Sequence, residues 1–156
     1  MKDKDKKLVA KNRRAFHDYE VMERLEAGLA LQGTEVKALR EGRCNLKDSY
    51  AEIRRGEIFL VKMHIGEYSA GNIFNHEPER PRKLLLHRRE IKKLSVKVSE
   101  KGFTLIPLSV YFTRGLAKVE IGLVRGKRQY DKRKAIEERD RKRDMEREVK
   151  ERIKWG

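Results

Sequence analysis

The densest chemistry in the chain lies between His76 and Lys93, HEPERPRKLLLHRREIKK, where Arg80, Arg82, Lys83, Arg88, Arg89, Lys92 and Lys93 crowd beside Pro78 and Pro81. A proline-stiffened basic loop entering a helix is suited to cradle phosphate. The side chains supply charge, and a helix N-terminus near His87 adds a favourable dipole. Arg82 and Lys83 are expected to bind. Arg88, Arg89, Lys92 and Lys93 have two open readings, a phosphate contact or the wet face of the helix. Leu84, Leu85 and Leu86 cannot all point inward, so one is expected to face a partner, where a flat apolar contact on a nucleobase would be its use. In QGTEVKALREGRCN, Lys37, Arg40 and Arg43 form a second cationic set. Glu26 is the exception in sign: it either makes a salt bridge along a strand or accepts a hydrogen bond from a base edge or ribose, as carboxylates do from nucleobase amines.

Catalytic and metal chemistry find little support. His17, His64, His76, His87 and Cys44 offer no CxxC, HxxxH or HExxH spacing, which is what metal sites readable from sequence require. There is no phosphate-binding P-loop and no GxSxG elbow. Neither enzymatic activity nor a cofactor or metal is expected. An RNA nuclease with a spatially assembled site is the enzymatic alternative, and it would show divalent-metal-dependent cleavage.

Charge narrows the partner. The 156 residues carry a formal net charge of +15, and the last 26 contain 11 Lys or Arg against 8 Asp or Glu, which leaves +12 on residues 1–130. A body so basic attracts polyanions, and phosphate contacts alone give it affinity for RNA or DNA. No run of about 18 apolar residues is present to span a bilayer. The N-terminal MKDKDKK is not followed by an apolar signal core, so no membrane association is expected. Cys44 is the one cysteine, and a thiol without a partner suits a reducing, cytoplasmic compartment. The chain is expected to be monomeric.

The elements that must carry these residues follow from periodicity. FHDYEVMERLEAGLAL reads as a long strand that Gly28 interrupts or bulges. A two-turn helix follows, capped by Thr34 and closed by Gly42. SYAEIRRGEIFLVKMHI reads as a hairpin turning at Arg55-Gly56, with Ile58 to Ile65 as its return strand. Gly66 to Arg82 reads as a long surface loop. Ile91, Leu94 and Val98 set an amphipathic helix from Arg88 to about Lys101, stopped by Gly102. A second hairpin turns at Thr113-Arg114-Gly115, with Pro107 at an edge or a bulge. The expected fold class is mainly β with α: a small antiparallel barrel of the oligonucleotide-binding type with two short-to-medium helices. Its parts are a basic arm at 1–15, the barrel at 16–125 and a C-terminal tail at 126–156.

The motifs HDY at 17–19, EAGLALQGTEVKALREG at 26–42, DSYAEI at 48–53, PRKLLLHRREI at 81–91 and GKRQYDKR at 126–133 stand in an order that resembles the bacterial SsrA-binding proteins, or small protein B family. The resemblance runs from about Lys11 to Arg139. It implies an oligonucleotide-binding barrel that binds the tRNA-like domain of transfer-messenger RNA and delivers it to stalled ribosomes for trans-translation, without itself catalysing a reaction. It also implies body contacts through Glu26, through Arg82 to His87 with Leu85 and His87 foremost, and more weakly through Lys37. Asp131, Lys132 and Arg133 match a signature that acts on the ribosome, together with Lys127, Arg128 and Tyr130. Relatives often carry histidine where Tyr130 stands, and either ring can stack on a base. A permanent ribosomal protein is the rival reading, and it would resist high-salt washing at one copy per subunit.

The tail has too little apolar material to fold alone. Glu137–Arg141, Glu138–Lys142, Glu146–Lys150 and Glu148–Arg152 are i,i+4 pairs in the favourable order, each worth about 0.2–0.5 kcal/mol in an isolated helix. Met145, Val149 and Ile153 add a thin apolar stripe. The expectation is a segment disordered or frayed in solution, hinged at Gly126, that becomes helical on the ribosome, against the decoding centre and in the empty messenger channel.

Overall fold

The computed structural model describes residues 6–69, 75–100, 102–126 and 143. In chain order the elements are β1 (Lys6–Lys11), α1 (Arg13–Asp18), β2 (Tyr19–Leu29), α2 (Gly33–Arg40), β3 (Cys44–Asn45), β4 (Tyr50–Arg54), β5 (Glu57–Val61), β6 (His64–Ile65), β7 (Arg82–Leu85), α3 (Arg88–Ser99), β8 (Phe103–Thr113) and β9 (Leu116–Gly126). The architecture is mainly β with a few helices. One antiparallel sheet runs β1-β8-β4-β5-β7-β2-β9, and β8 pairs in addition with β9. The short strands β3 and β6 pair separately.

Alternation decides what is buried. Ile58 and Leu60 on β5, Leu84 on β7, and Val119, Ile121 and Leu123 on β9 enclose an apolar core together with Ala27 and Leu29. Ala38 and Leu39 of α2 and Ile91 and Leu94 of α3 join the same cluster, so both helices lie against the sheet by their apolar stripes. Both hairpin turns have positive φ at two central residues, Arg55 and Gly56 in one and Arg114 and Gly115 in the other. That is the geometry whose twist matches antiparallel strands, and it explains why each turn ends in glycine. The expected bulge at Pro107 is present as a register shift between Pro107 and Ser109 against β9.

Several expectations change. Arg13 to Asp18 form α1, so Phe16 and His17 are not strand residues. Asn12 starts this helix by accepting from the Ala15 amide at 3.2 Å, while its own side-chain amide donates to the Pro107 carbonyl at 3.0 Å. α1 covers a second apolar cluster of Ala15, Ile106, Leu108 and Val124. The bulge in β2 falls between Val21 and Glu23, not at Gly28. Lys6 to Lys11, expected in a basic arm, form β1 along β8. Gln32 rather than Thr34 caps α2, closed by a hydrogen bond from the Gln32 amide to the Glu35 carboxylate at 2.8 Å. Thr34 instead hydrogen-bonds the buried His76 ring at Nδ1, 2.9 Å away, and the other ring nitrogen reaches the Ile65 carbonyl.

Candidate nucleic-acid interface

β7 carries most of the site. Its four residues alternate, with Arg82 and Leu84 buried and Lys83 and Leu85 exposed. Of the three leucines, Leu85 is the one turned outward, at 54% exposure. Leu85 pairs with Gly28 of β2, and a Cβ on Gly28 would meet Leu85 Cβ at 3.2 Å and Cδ1 at 3.3 Å. The glycine within this strand therefore marks a close approach of a neighbouring side chain. His87 caps α3, whose first turn is closed by Glu90 accepting from the His87 amide at 3.2 Å.

These elements form one groove. Glu26, Lys83, Leu85, His87, Arg88 and Lys118 are among its lining residues, so four of the six body residues expected to bind RNA share a surface. The N-terminus of α3 adds its positive dipole end there. Lys83 pairs loosely with Glu57 across the strands at 3.4 Å, both side chains exposed. A surface pair of this kind is weak enough to yield to a phosphate. Arg89, Lys92 and Lys93 lie exposed on α3 but do not line the groove. Glu26 accepts a hydrogen bond from the Tyr111 hydroxyl, a partner that neither open reading of this carboxylate included.

Two expected binders lie elsewhere. Arg82 is wholly buried, and its guanidinium is spent inside the protein: Nε donates to Glu35 at 2.5 Å, Nη1 to the Met63 carbonyl and Nη2 to the Pro78 carbonyl at 3.0 Å. Basic composition read it as a surface cation, but β7 alternation turns it inward, opposite in face to Lys83. Arg80 completes the arrangement by donating to the other Glu35 oxygen at 2.5 Å. Burial alone would raise the Glu35 carboxyl. The Arg80 hydrogen bond, the Gln32 amide and Arg82 outweigh it and hold the group below the usual carboxylate range. Lys37 is exposed on α2 with its ammonium 5.4 Å from the centre of the Tyr68 ring, and it does not line the groove.

Lys127, Arg128, Tyr130, Asp131, Lys132 and Arg133 lie outside the described residues, as does the expected tail helix apart from residue 143. Among the described residues no group of three or more His, Cys, Asp or Glu is placed to hold a metal ion. Among the residues that the sequence reading did not place at the site are Gly28 and Lys118, which line the groove, and Tyr111, which bonds Glu26. Gly28 carried a usable signal, a glycine inside an apolar strand, whereas Lys118 and Tyr111 become neighbours of Glu26 only through strand pairing.

The family model described as SmpB protein matches residues 9–151. The SsrA-binding protein of Moorella thermoacetica is 61% identical over 149 residues, 95% of this chain and 96% of that one. That of Clostridium tetani is 53% identical over 155 residues, 99% of each. A solved chain described as "tmRNA-SmpB: a journey to the center of the bacterial ribosome" is 49% identical, with a TM-score of 0.67 and coverage of 81% of this chain and 93% of that one. Matches of this extent, from the first strand into the tail, leave one conclusion: the chain belongs to the SmpB protein family.

Proposed function

We propose that this chain is an RNA-binding adaptor that grips the tRNA-like domain of transfer-messenger RNA and carries it to stalled ribosomes for trans-translation, working in the cytoplasm and catalysing no reaction itself. The observation that carries the RNA grip is the shared groove of Glu26, Lys83, Leu85 and His87. Its chemistry is what an RNA surface needs: a cation and a helix start for phosphate, an exposed leucine for a base face, an imidazole for stacking or hydrogen bonding, and a carboxylate to accept from an amine or a 2′-hydroxyl.

In this reading the sheet is a closed barrel of the oligonucleotide-binding type. The ladder β8-β4-β5-β7-β2-β9 returning to β8 supports it, because a closed ring leaves no edge open among those strands. Arg82 acts from inside, fixing the register of β7, and Lys37 is a peripheral cation outside the groove. Lys127, Arg128, Tyr130, Asp131, Lys132 and Arg133 act later, on the ribosome, with the tail in the empty messenger channel.

Binding of the full-length chain to the tRNA-like domain tests the grip. Lys83→Glu and Leu85→Asp should each weaken it by about tenfold or more, and Lys92→Glu, on the wet face of α3, by about twofold. Equal losses in all three would mean general charge attraction and no grip. For the tail, alanine at Asp131, Lys132 and Arg133 should leave this affinity unchanged and abolish tagging on stalled ribosomes. A loss of affinity would place those residues in the RNA grip instead.

A further inference from the structure

Tyr111 is a buried aromatic that belongs to neither apolar cluster. It is 1% exposed, yet its chain neighbours Val110 and Phe112 enter the main core and it does not. Strand pairing explains this. Leu8 of β1 pairs with Tyr111 of β8, Tyr111 with Lys118 of β9, Lys118 with Gly28 of β2, and Gly28 with Leu85 of β7. Residues paired across adjacent strands share a face, so Tyr111 lies on the face of the sheet that carries Lys118 and Leu85, turned away from the core. Glu26, two residues before Gly28, lies on that face as well.

Tyr111 is covered by other means. The Lys6 ammonium sits 4.1 Å above its ring centre, and its hydroxyl donates to Oε2 of Glu26. The phenol is pushed above its usual range, first by burial and then by the Glu26 hydrogen bond. At neutral pH it is therefore a neutral donor. A carboxylate accepts only, with about four lone-pair positions on its two oxygens. One is taken by Tyr111, which fixes the direction in which the rest are presented.

We infer that Tyr111 is a positioning residue for RNA recognition: its hydroxyl holds the Glu26 carboxylate so that the remaining lone pairs meet a hydrogen-bond donor of the RNA, an exocyclic base amine, a ring N–H or a ribose 2′-hydroxyl. This rests on the reading of the groove as the RNA grip and adds the residue that makes the Glu26 carboxylate selective. An unheld carboxylate on a basic face would be free to rotate toward a neighbouring lysine. Held by Tyr111, it rejects groups that cannot donate.

A double-mutant cycle on the full-length chain tests the inference, with the tRNA-like domain of transfer-messenger RNA as the probe. Tyr111→Phe keeps the ring and removes only the hydroxyl. It should weaken binding by about 3- to 10-fold, the size of one hydrogen bond's net effect, and leave the slope of log affinity against log salt unchanged, since no cation is lost. In a Glu26→Ala background the same change should alter affinity by less than about 1.5-fold, because its target is gone. Equal losses in both backgrounds, or a changed salt slope, would overturn the positioning role, and so would unchanged affinity of Tyr111→Phe beside a weakened Glu26→Ala. Wild-type affinity of Glu26→Ala would instead overturn the carboxylate contact itself, and that outcome is read from a different variant.

Discussion

Arg82 and Glu35 form an ion pair with no solvent contact on either side chain, Nε to Oε2 at 2.5 Å. The pair joins α2 to β7, two segments 47 residues apart in the chain. Arg82 also donates to carbonyls of Met63 and Pro78, so one guanidinium holds a helix, a strand end and the loop entering β7. A buried pair of this kind is a weak source of net stability but a costly one to break, because the surviving partner is left charged in a dry site. Its consequence for function is geometric. With Arg82 fixed inward, the next residues must alternate, and Lys83 and Leu85 face the groove.

Replacing Glu35 by Gln should destabilise the protein by about 3–5 kcal/mol, measured by urea unfolding at neutral pH, because Arg82 stays buried without its counter-charge. A loss under about 1 kcal/mol would show that Arg82 is satisfied by backbone carbonyls alone.

The same carboxyl sets an acid limit. Glu35 is held below its ordinary value of 4.5 in the folded state. Its contribution to stability is therefore complete above that pH and is lost as pH falls through the lower folded value. Urea midpoints measured between neutral pH and pH 3 should fall below about pH 4.5 in the wild type, and Glu35→Gln should lack that part of the loss. Parallel pH profiles would assign the acid sensitivity to other groups.

Two glycines on the sheet separate packing from binding. A Cβ on Gly122 would meet Leu108 Cδ1 at 2.9 Å, so Gly122→Ala should destabilise by about 1–3 kcal/mol through overpacking while RNA affinity of the folded protein is kept. A Cβ on Gly28 presses on Leu85 instead, and Gly28→Ala should weaken RNA binding by about 3- to 5-fold, the size of one impaired base contact, at little cost in stability. Thermal unfolding and RNA titration of both variants check the pair. Gly28→Ala with wild-type affinity would remove Leu85 from the contact surface.

Burial pushes the Cys44 thiol up to about 12, so almost no thiolate exists at neutral pH. A thiol-exchange reagent should label Cys44 slowly in the folded protein and rapidly in denaturant. Fast labelling of the folded chain would mean that the segment around β3 opens readily.

How far the sequence alone reached can be judged at particular residues. The hairpins at Arg55-Gly56 and Arg114-Gly115, the helix after His87 and the fact that one leucine of LLL turns outward were legible, because each follows from turn chemistry or a short period. α1 was missed because Phe16 and Tyr19 suit a strand as well as a helix. The cap bond from the Ala15 amide to Asn12 is local, but the second bond that anchors Asn12 goes to Pro107, 95 residues away. Arg82 was misread because composition counts charges without saying which side of a strand they take. Tyr111 was illegible in principle, since its bond to Glu26 spans 85 residues and needs the pairing of β8 with β9 and of β9 with β2.

Whether the folded body is a selective grip for one tRNA-shaped RNA is tested by titrating the full-length chain with the tRNA-like domain of transfer-messenger RNA at several salt concentrations, with elongator tRNA as competitor. Binding should persist at physiological salt and elongator tRNA should compete poorly, because Glu26, Leu85 and His87 would add contacts that phosphate attraction does not supply. Equal competition by elongator tRNA, with affinity collapsing as salt rises, would contradict it and reduce the +12 carried by residues 1–130 to a general phosphate binder.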